Sequence, residues 1–276
     1  MKPSLKLRVL TAVIGVPVII LILLAPVWVM LIGVILCSLA GTFEFYNATG
    51  LLTRQKLLCV FGFLGTAILP LCTYLPPMQI MTCAFAYLVI LFLAMLCSHR
   101  KVRITDIAML IIGMIYIPFL LSNLLFIKQL EFGSVLVWLV FVGSFMTDTG
   151  AYFAGTLLGR HKLCPDISPK KTVEGAIGGT IVCGLSFLLF ALIINLFVAD
   201  HINADMSYGL TFALGLISAI AAQIGDLTAS LIKRQFGIKD FGHMFPGHGG
   251  MLDRCDSIVL VAPVIFLFAA QISLFI

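Results

Sequence analysis

Apolar runs about 20 residues long recur along this chain, separated by short polar connections, and they leave few folds open. A membrane-crossing helix needs about 20 apolar residues to span the hydrocarbon layer. Nine runs meet that length: residues 9–25, 27–47, 57–75, 78–97, 104–127, 134–158, 175–198, 207–232 and 255–275. Charged residues make up only 11% of the chain and apolar residues 61%. Soluble domains carry about 25% charged residues, so a soluble core is excluded. The expected fold class is an all-α polytopic membrane protein with about nine transmembrane helices. The first run is expected to be a span, not a removable leader, because no small-residue cleavage site precedes a soluble domain.

The cations set an orientation. Lys2, Lys6 and Arg8 precede the first run, and Arg54 and Lys56 follow the second. Arg100, Lys101 and Arg103 follow the fourth. Arg160, Lys162, Lys170 and Lys171 follow the sixth, and Lys233, Arg234, Lys239 and Arg254 follow the eighth. Those alternate connections hold 16 of the 17 Lys and Arg residues; Lys128 is the exception. Cytoplasmic loops collect Lys and Arg, so the N-terminus is expected to be cytosolic and the C-terminus outside. The net charge of +5 is accounted for by these signals and by a phosphate-bearing partner, with no nucleic acid required. Two regions are expected: residues 1–133, with about five transmembrane helices, and residues 134–276, a transmembrane catalytic region with cytosolic loops 159–174 and 233–254. The eight cysteines contain no CxxC pair and read mainly as small apolar fillers.

Within the apolar runs, Asp148 and Asp226 stand out. A carboxylate at membrane depth costs a few kcal/mol unless it faces protein, water or a cation. Around Asp226, the positions Gly215, Ser218, Ala219, Ala222, Gly225, Ala229, Ser230 and Lys233 recur at steps of three and four, on one helix face. Small residues there permit close packing, so the carboxylate is expected in a bundle seam near the cytosolic mouth. Asp253 and Asp256 lie three apart at the head of the last run and share a face. The plainer explanation is a favourable charge at a helix N-terminus, which covers one aspartate better than two. Asp226 and Asp253 are expected at the same membrane surface, where they can converge. Carboxylates with phosphate oxygens are how proteins commonly hold Mg²⁺, so Asp226, Asp253 and Asp256 are the candidate metal ligands.

Two polar loops concentrate the remaining chemistry. In residues 159–174, Ser168 and Pro169 lead to Lys170, Lys171, Thr172 and Glu174 at the head of a helix. That arrangement suits an anion, although Thr172 also reads as an N-cap and the lysines as topology signals. In residues 233–254, glycines can bring backbone N–H groups to phosphate, and His248 is the best histidine candidate. Neither zinc-ligand spacing nor a P-loop occurs.

The pattern Ser230-x-x-Lys233-Arg234, Lys239-Asp240 and Pro246-Gly-His-Gly-Gly250-Met-x-Asp253-Arg254-x-Asp256 resembles the signature of phosphatidate cytidylyltransferases. Asp148-x-x-Ala151-Tyr152-x-x-Gly155 and Ser168-Pro-Lys-Lys-Thr-x-Glu174-Gly175 are similar to the same family. Cys255 departs from it, where an aliphatic residue is expected. The resemblance implies cytidylyl transfer from CTP to phosphatidate, yielding CDP-diacylglycerol and pyrophosphate. It also implies dependence on Mg²⁺, with a second cation left open, and a homodimer among membrane lipids. Asp226, Asp253, Lys171 and Arg254 are implied to be catalytic. Asp148, Tyr152, Ser168, Lys170, Thr172, Glu174, Ser230, Lys233, Arg234, Lys239, Gly247, His248, Gly249 and Gly250 are implied to bind substrate. The expected location is a bacterial inner membrane, with the site facing the cytoplasm. The rivals are another membrane phosphotransferase, such as a CTP-dependent lipid kinase or a polyprenyl-phosphate transferase, and an ion-coupled transporter using Asp148 and Asp226.

Overall fold

The computed structural model describes residues 5–245 and 249–276, with the side chains of residues 13, 15–245 and 249–276. In chain order it runs α1 (Leu5–Leu24), α2 (Val27–Ala48), α3 (Leu51–Arg54) and α4 (Lys56–Ile68). A 3₁₀ turn, Leu69–Tyr74, extends α4. Next come α5 (Pro77–Cys97), α6 (Ile104–Met114), a π turn (Ile115–Phe119), α7 (Asn123–Gln129) and α8 (Gly133–Leu158). The strands β1 (Lys162–Cys164) and β2 (Ser168–Thr172) follow, then α9 (Val173–Phe197), α10 (Ala199–Ile202), α11 (Tyr208–Gln235), α12 (Leu252–Cys255) and α13 (Ile258–Gln271).

Among the described residues, seven stretches are long and apolar enough to cross a membrane: Val27–Ala48, Lys56–Tyr74, Pro77–Cys97, Ile104–Gln129, Gly133–Leu158, Val173–Phe197 and Tyr208–Gln235. They coincide with seven of the nine expected runs. In α1 the apolar part with described side chains is Gly15–Leu24. The last run, expected over 255–275, holds a helix of only 14 residues. At about 1.5 Å per residue this is about 21 Å, short of the hydrocarbon thickness. The chain leaves the helix at Ile272 because its backbone groups find other partners. Ser207 N–H donates to Leu274 O at 2.8 Å, and Ile276 N–H donates to Asp205 O at 2.8 Å. Among the described residues, the antiparallel hairpin β1–β2 is the one named sheet in an otherwise helical chain.

The chain divides into two compact units, Met1–Phe126 with Gln235–Cys255, and Ile127–Arg234 with Asp256–Ile276. In the first, α2 turns Met30, Val34, Ser38, Gly41, Thr42 and Phe45 inward, at helical spacing. Tyr46 is fully buried, and its hydroxyl donates to Leu110 O at 3.2 Å, which satisfies the polar end of a large apolar side chain. Gly62 and Gly113 make room for its ring. A methyl on Gly62 would lie 2.6 Å from the Tyr46 oxygen. The π turn contains Pro118, which lacks an N–H and so loosens the helical ladder.

In the second unit, α8 and α9 pack through small residues. A methyl on Gly150 would lie 2.6 Å from Val182 Cβ, and one on Gly179 would lie 2.8 Å from Thr147 O. Close backbone approach of this kind is the usual way membrane helices gain packing energy. Phe187 of α9 is fully buried beside Gly143 of α8 and Gly215 of α11.

Candidate functional site

In the second unit, a cavity of about 300 Å³ lies among α8, the hairpin, α9 and α11. Asp148 and Tyr152 line it from α8, Lys170, Lys171 and Thr172 from β2, and Gln223 and Asp226 from α11. Of the residues expected from the sequence, these six besides Gln223 are therefore brought together. Lys171 Nζ and Asp226 Oδ2 form an ion pair at 2.6 Å, and both side chains are about one-quarter exposed. A partly exposed pair of this kind adds little stability, so it can open towards a ligand at small cost. Ser230 lies one turn on and donates to Asp226 Oδ1 at 3.4 Å.

Asp256 occupies the turn before α13, where its backbone carbonyl is pressed against Gly225. Burial pushes its carboxyl up, to about 7. The neighbouring Asp226 adds to the rise, Lys233 opposes it, and Asp148 adds again. Lys233 is itself buried. Three aspartates thus share one electrostatic neighbourhood with a buried lysine.

The hairpin presents Lys170 and Lys171 because its ends are tied down. Thr172 Oγ1 caps α9 by accepting from Gly175 N–H at 3.1 Å. Glu174 accepts from Arg160 N–H at 3.1 Å, and His161 Nδ1 lies 2.6 Å from it. Glu174 and His161 therefore close the loop on itself. Arg234 Nε donates to Ile167 O at 3.3 Å, tying the hairpin turn to the end of α11. Ser168 is partly buried, and Lys170 is exposed.

In the first unit, residues 241–245 and 249–251 form glycine-bearing loop segments ahead of α12. Asp253 is buried, and its Oδ2 accepts from Phe241 N–H at 2.9 Å and Gly250 N–H at 3.0 Å. Expected as a metal ligand, Asp253 thus has one oxygen committed to two backbone donors. Gly249 has φ +87°, a left-handed conformation suited to glycine. Phe245 N–H donates to Gly249 O at 2.9 Å. Gly247 and His248, expected to bind substrate, lie outside the described residues. Lys239 and Arg254 are exposed.

A residue missed in the sequence holds this loop. Glu44 of α2 is buried and accepts from Met251 N–H and Leu252 N–H, each at 2.9 Å. Its signal was a carboxylate inside an apolar run, the same signal that marked Asp148 and Asp226.

Among the described residues, no three His, Cys, Asp or Glu side chains cluster as a protein-only metal cage. Mg²⁺ does not require one, since it commonly takes one or two carboxylates with water and substrate phosphate. Asp226 and Asp256 fit that donor set, and a cation would relieve the repulsion between them.

The chain matches the model of the Cytidylyltransferase family over residues 6–272. It is 40% identical over 185 residues to a phosphatidate cytidylyltransferase of Rickettsia prowazekii (strain Madrid E), covering 67% of this chain and 80% of that one. It is 31% identical over 274 residues to a phosphatidate cytidylyltransferase of Staphylococcus aureus (strain COL), covering 96% of this chain and 99% of that one. With a family match from residue 6 to residue 272 and a relative aligned over almost its full length, the chain belongs to the cytidylyltransferase family.

Proposed function

We propose that this chain transfers the cytidylyl group of CTP to phosphatidate, giving CDP-diacylglycerol and pyrophosphate. The observation that carries this reading is the cavity of about 300 Å³ with Lys170, Lys171 and Asp226 in its wall. Family membership supplies the reaction class, and the names of the relatives suggest the acceptor.

The chemistry asks little of a base. A phosphate oxygen of phosphatidate is already an anionic nucleophile. It attacks the α-phosphorus of CTP, the bond between that phosphorus and the bridging oxygen breaks, and pyrophosphate leaves with the electron pair. The barrier lies in bringing two polyanions together in line, so catalysis is positioning and charge neutralisation. Lys171 exchanges its contact with Asp226 for a phosphate oxygen. Lys170, Lys233 and Arg234 add positive charge around the phosphates. Asp226 and Asp256 would hold Mg²⁺, which supplies countercharge to the phosphate oxygens when bound. Asp253 contributes by holding the backbone of Phe241 and Gly250, beside glycines whose backbone can approach a phosphate closely.

The reaction takes place at the cytoplasmic face, which the grouping of Lys and Arg on alternate connections supports. A bacterial inner membrane is the proposed location, in keeping with the bacterial relatives. A homodimer is proposed on the family resemblance, with the mass of the purified particle as its check.

The test is acceptor choice. Purified protein given CTP is expected to form a CDP-lipid from phosphatidate and no product from diacylglycerol. Phosphorylation of diacylglycerol would instead identify a lipid kinase. EDTA is expected to stop turnover and Mg²⁺ to restore it; turnover in a chelated sample would remove the cation from this reading.

A further inference from the structure

We infer that Glu44 is a positioning residue for cytidylyl transfer, the anchor that fixes the glycine-bearing segments 241–245 and 249–252 in their working shape. The inference rests on the reading that this loop handles substrate phosphate. Glu44 lies on α2, yet its carboxylate oxygens accept from the backbone of Met251 and Leu252, 207 and 208 residues away. Asp253 accepts from Phe241 N–H and Gly250 N–H, so two buried carboxylates together hold four backbone donors of one short loop. A carboxylate offers only acceptors, which is what an array of N–H groups requires. The glycines complete the fit. A methyl on Gly250 would collide with both Glu44 oxygens; one on Gly242 would collide with Oε1 and lie 2.7 Å from Cδ. Neither glycine has a positive φ, so close approach to Glu44, not backbone conformation, accounts for their lack of a side chain.

Glu44 is too enclosed by loop backbone to serve as a general base, and its effect passes through the loop. Glutamine keeps the shape but sets an N–H₂ group against a backbone N–H. Leaving a buried donor unsatisfied disturbs the loop by an amount equivalent to about tenfold in an equilibrium.

The experiment compares the full-length protein with Glu44→Gln, Gly242→Ala and the pair Gly242→Ala/Glu44→Asp. Three readouts apply: thermal midpoint in detergent, amide hydrogen exchange over residues 241–253, and kcat/KM for CTP. Glu44→Gln is expected to melt within a few degrees of wild type, to exchange faster across the loop, and to lose about tenfold or more in kcat/KM. Gly242→Ala is expected to lose activity through the clash. Adding Glu44→Asp shortens the acid by one methylene, keeps its charge and restores at least about threefold over Gly242→Ala alone. Wild-type exchange and kinetics in Glu44→Gln would overturn the inference. If Glu44→Gln does not fold, the paired variant decides, and no gain over Gly242→Ala overturns it. If wild type makes no CDP-lipid, the proposed function fails, while hydrogen exchange still judges the anchor.

Discussion

Lys171 and Asp226 show how a pair of opposite charges can serve a site that must receive polyanions. Paired to each other, the two add no net charge of their own to the cavity wall. In the proposed reaction substrate separates them and directs each to a different partner. Asp226→Asn is therefore expected to lower kcat/KM by at least about tenfold, a loss of about 1.4 kcal/mol or more. Lys171→Gln is expected to do the same, and the double variant to be little worse than the poorer single one, because the two act as a unit. Lys171→Arg is expected to insert normally and still lose activity, since a planar guanidinium fits an ammonium-shaped contact poorly. Steady-state kinetics on purified variants checks this, and wild-type rates in either single variant would contradict it. Both residues were legible in the sequence. Asp226 was a carboxylate in a small-residue stripe, and Lys171 sat at a helix head. Glu44 was not read, although it carries the same kind of signal. It lies near the end of its run, where a charge passes as interfacial, and the donors it serves are more than 200 residues away.

At the scale of elements, the long helices were legible because apolar length alone specifies them in a bilayer. The hairpin was not. β1 and β2 have three and five residues, and Pro169 within β2 argues against a strand read from sequence. The early end of the last helix was also invisible, because the tail's partners at Asp205 and Ser207 lie in a distant connection. Packing of α8 against α9 makes its own demand. Gly150→Leu would drive a branched side chain into Val182. It is expected to destabilise the protein by about 1–3 kcal/mol, as overpacking commonly does. Thermal unfolding in detergent would show a lowered midpoint; an unchanged midpoint would mean that the α8–α9 contact is looser than described.

Across the whole molecule, charge placement says more than fold class. Sixteen of 17 cations lie on alternate connections, which predicts that cysteines placed at Lys170 and Lys239 react only with reagents supplied from the cytoplasm. A tag after Ile276 should react only from outside. Labelling of both from one side would mean that an odd number of spans is wrong by one. The grouping of Gln235–Cys255 with Met1–Phe126 had no signature in the linear order, because it rests on loop-to-α2 bonds such as those of Glu44.

In the proposed reaction the cytidylyl group, not the terminal phosphate, reaches the lipid. Purified protein with phosphatidate and CTP labelled at either the α- or the γ-phosphorus tests it directly. The α label is predicted to appear in the lipid fraction as CDP-diacylglycerol and the γ label in released pyrophosphate, in equal molar amounts. Transfer of the γ label to lipid, with the α label left in CDP, would contradict the account.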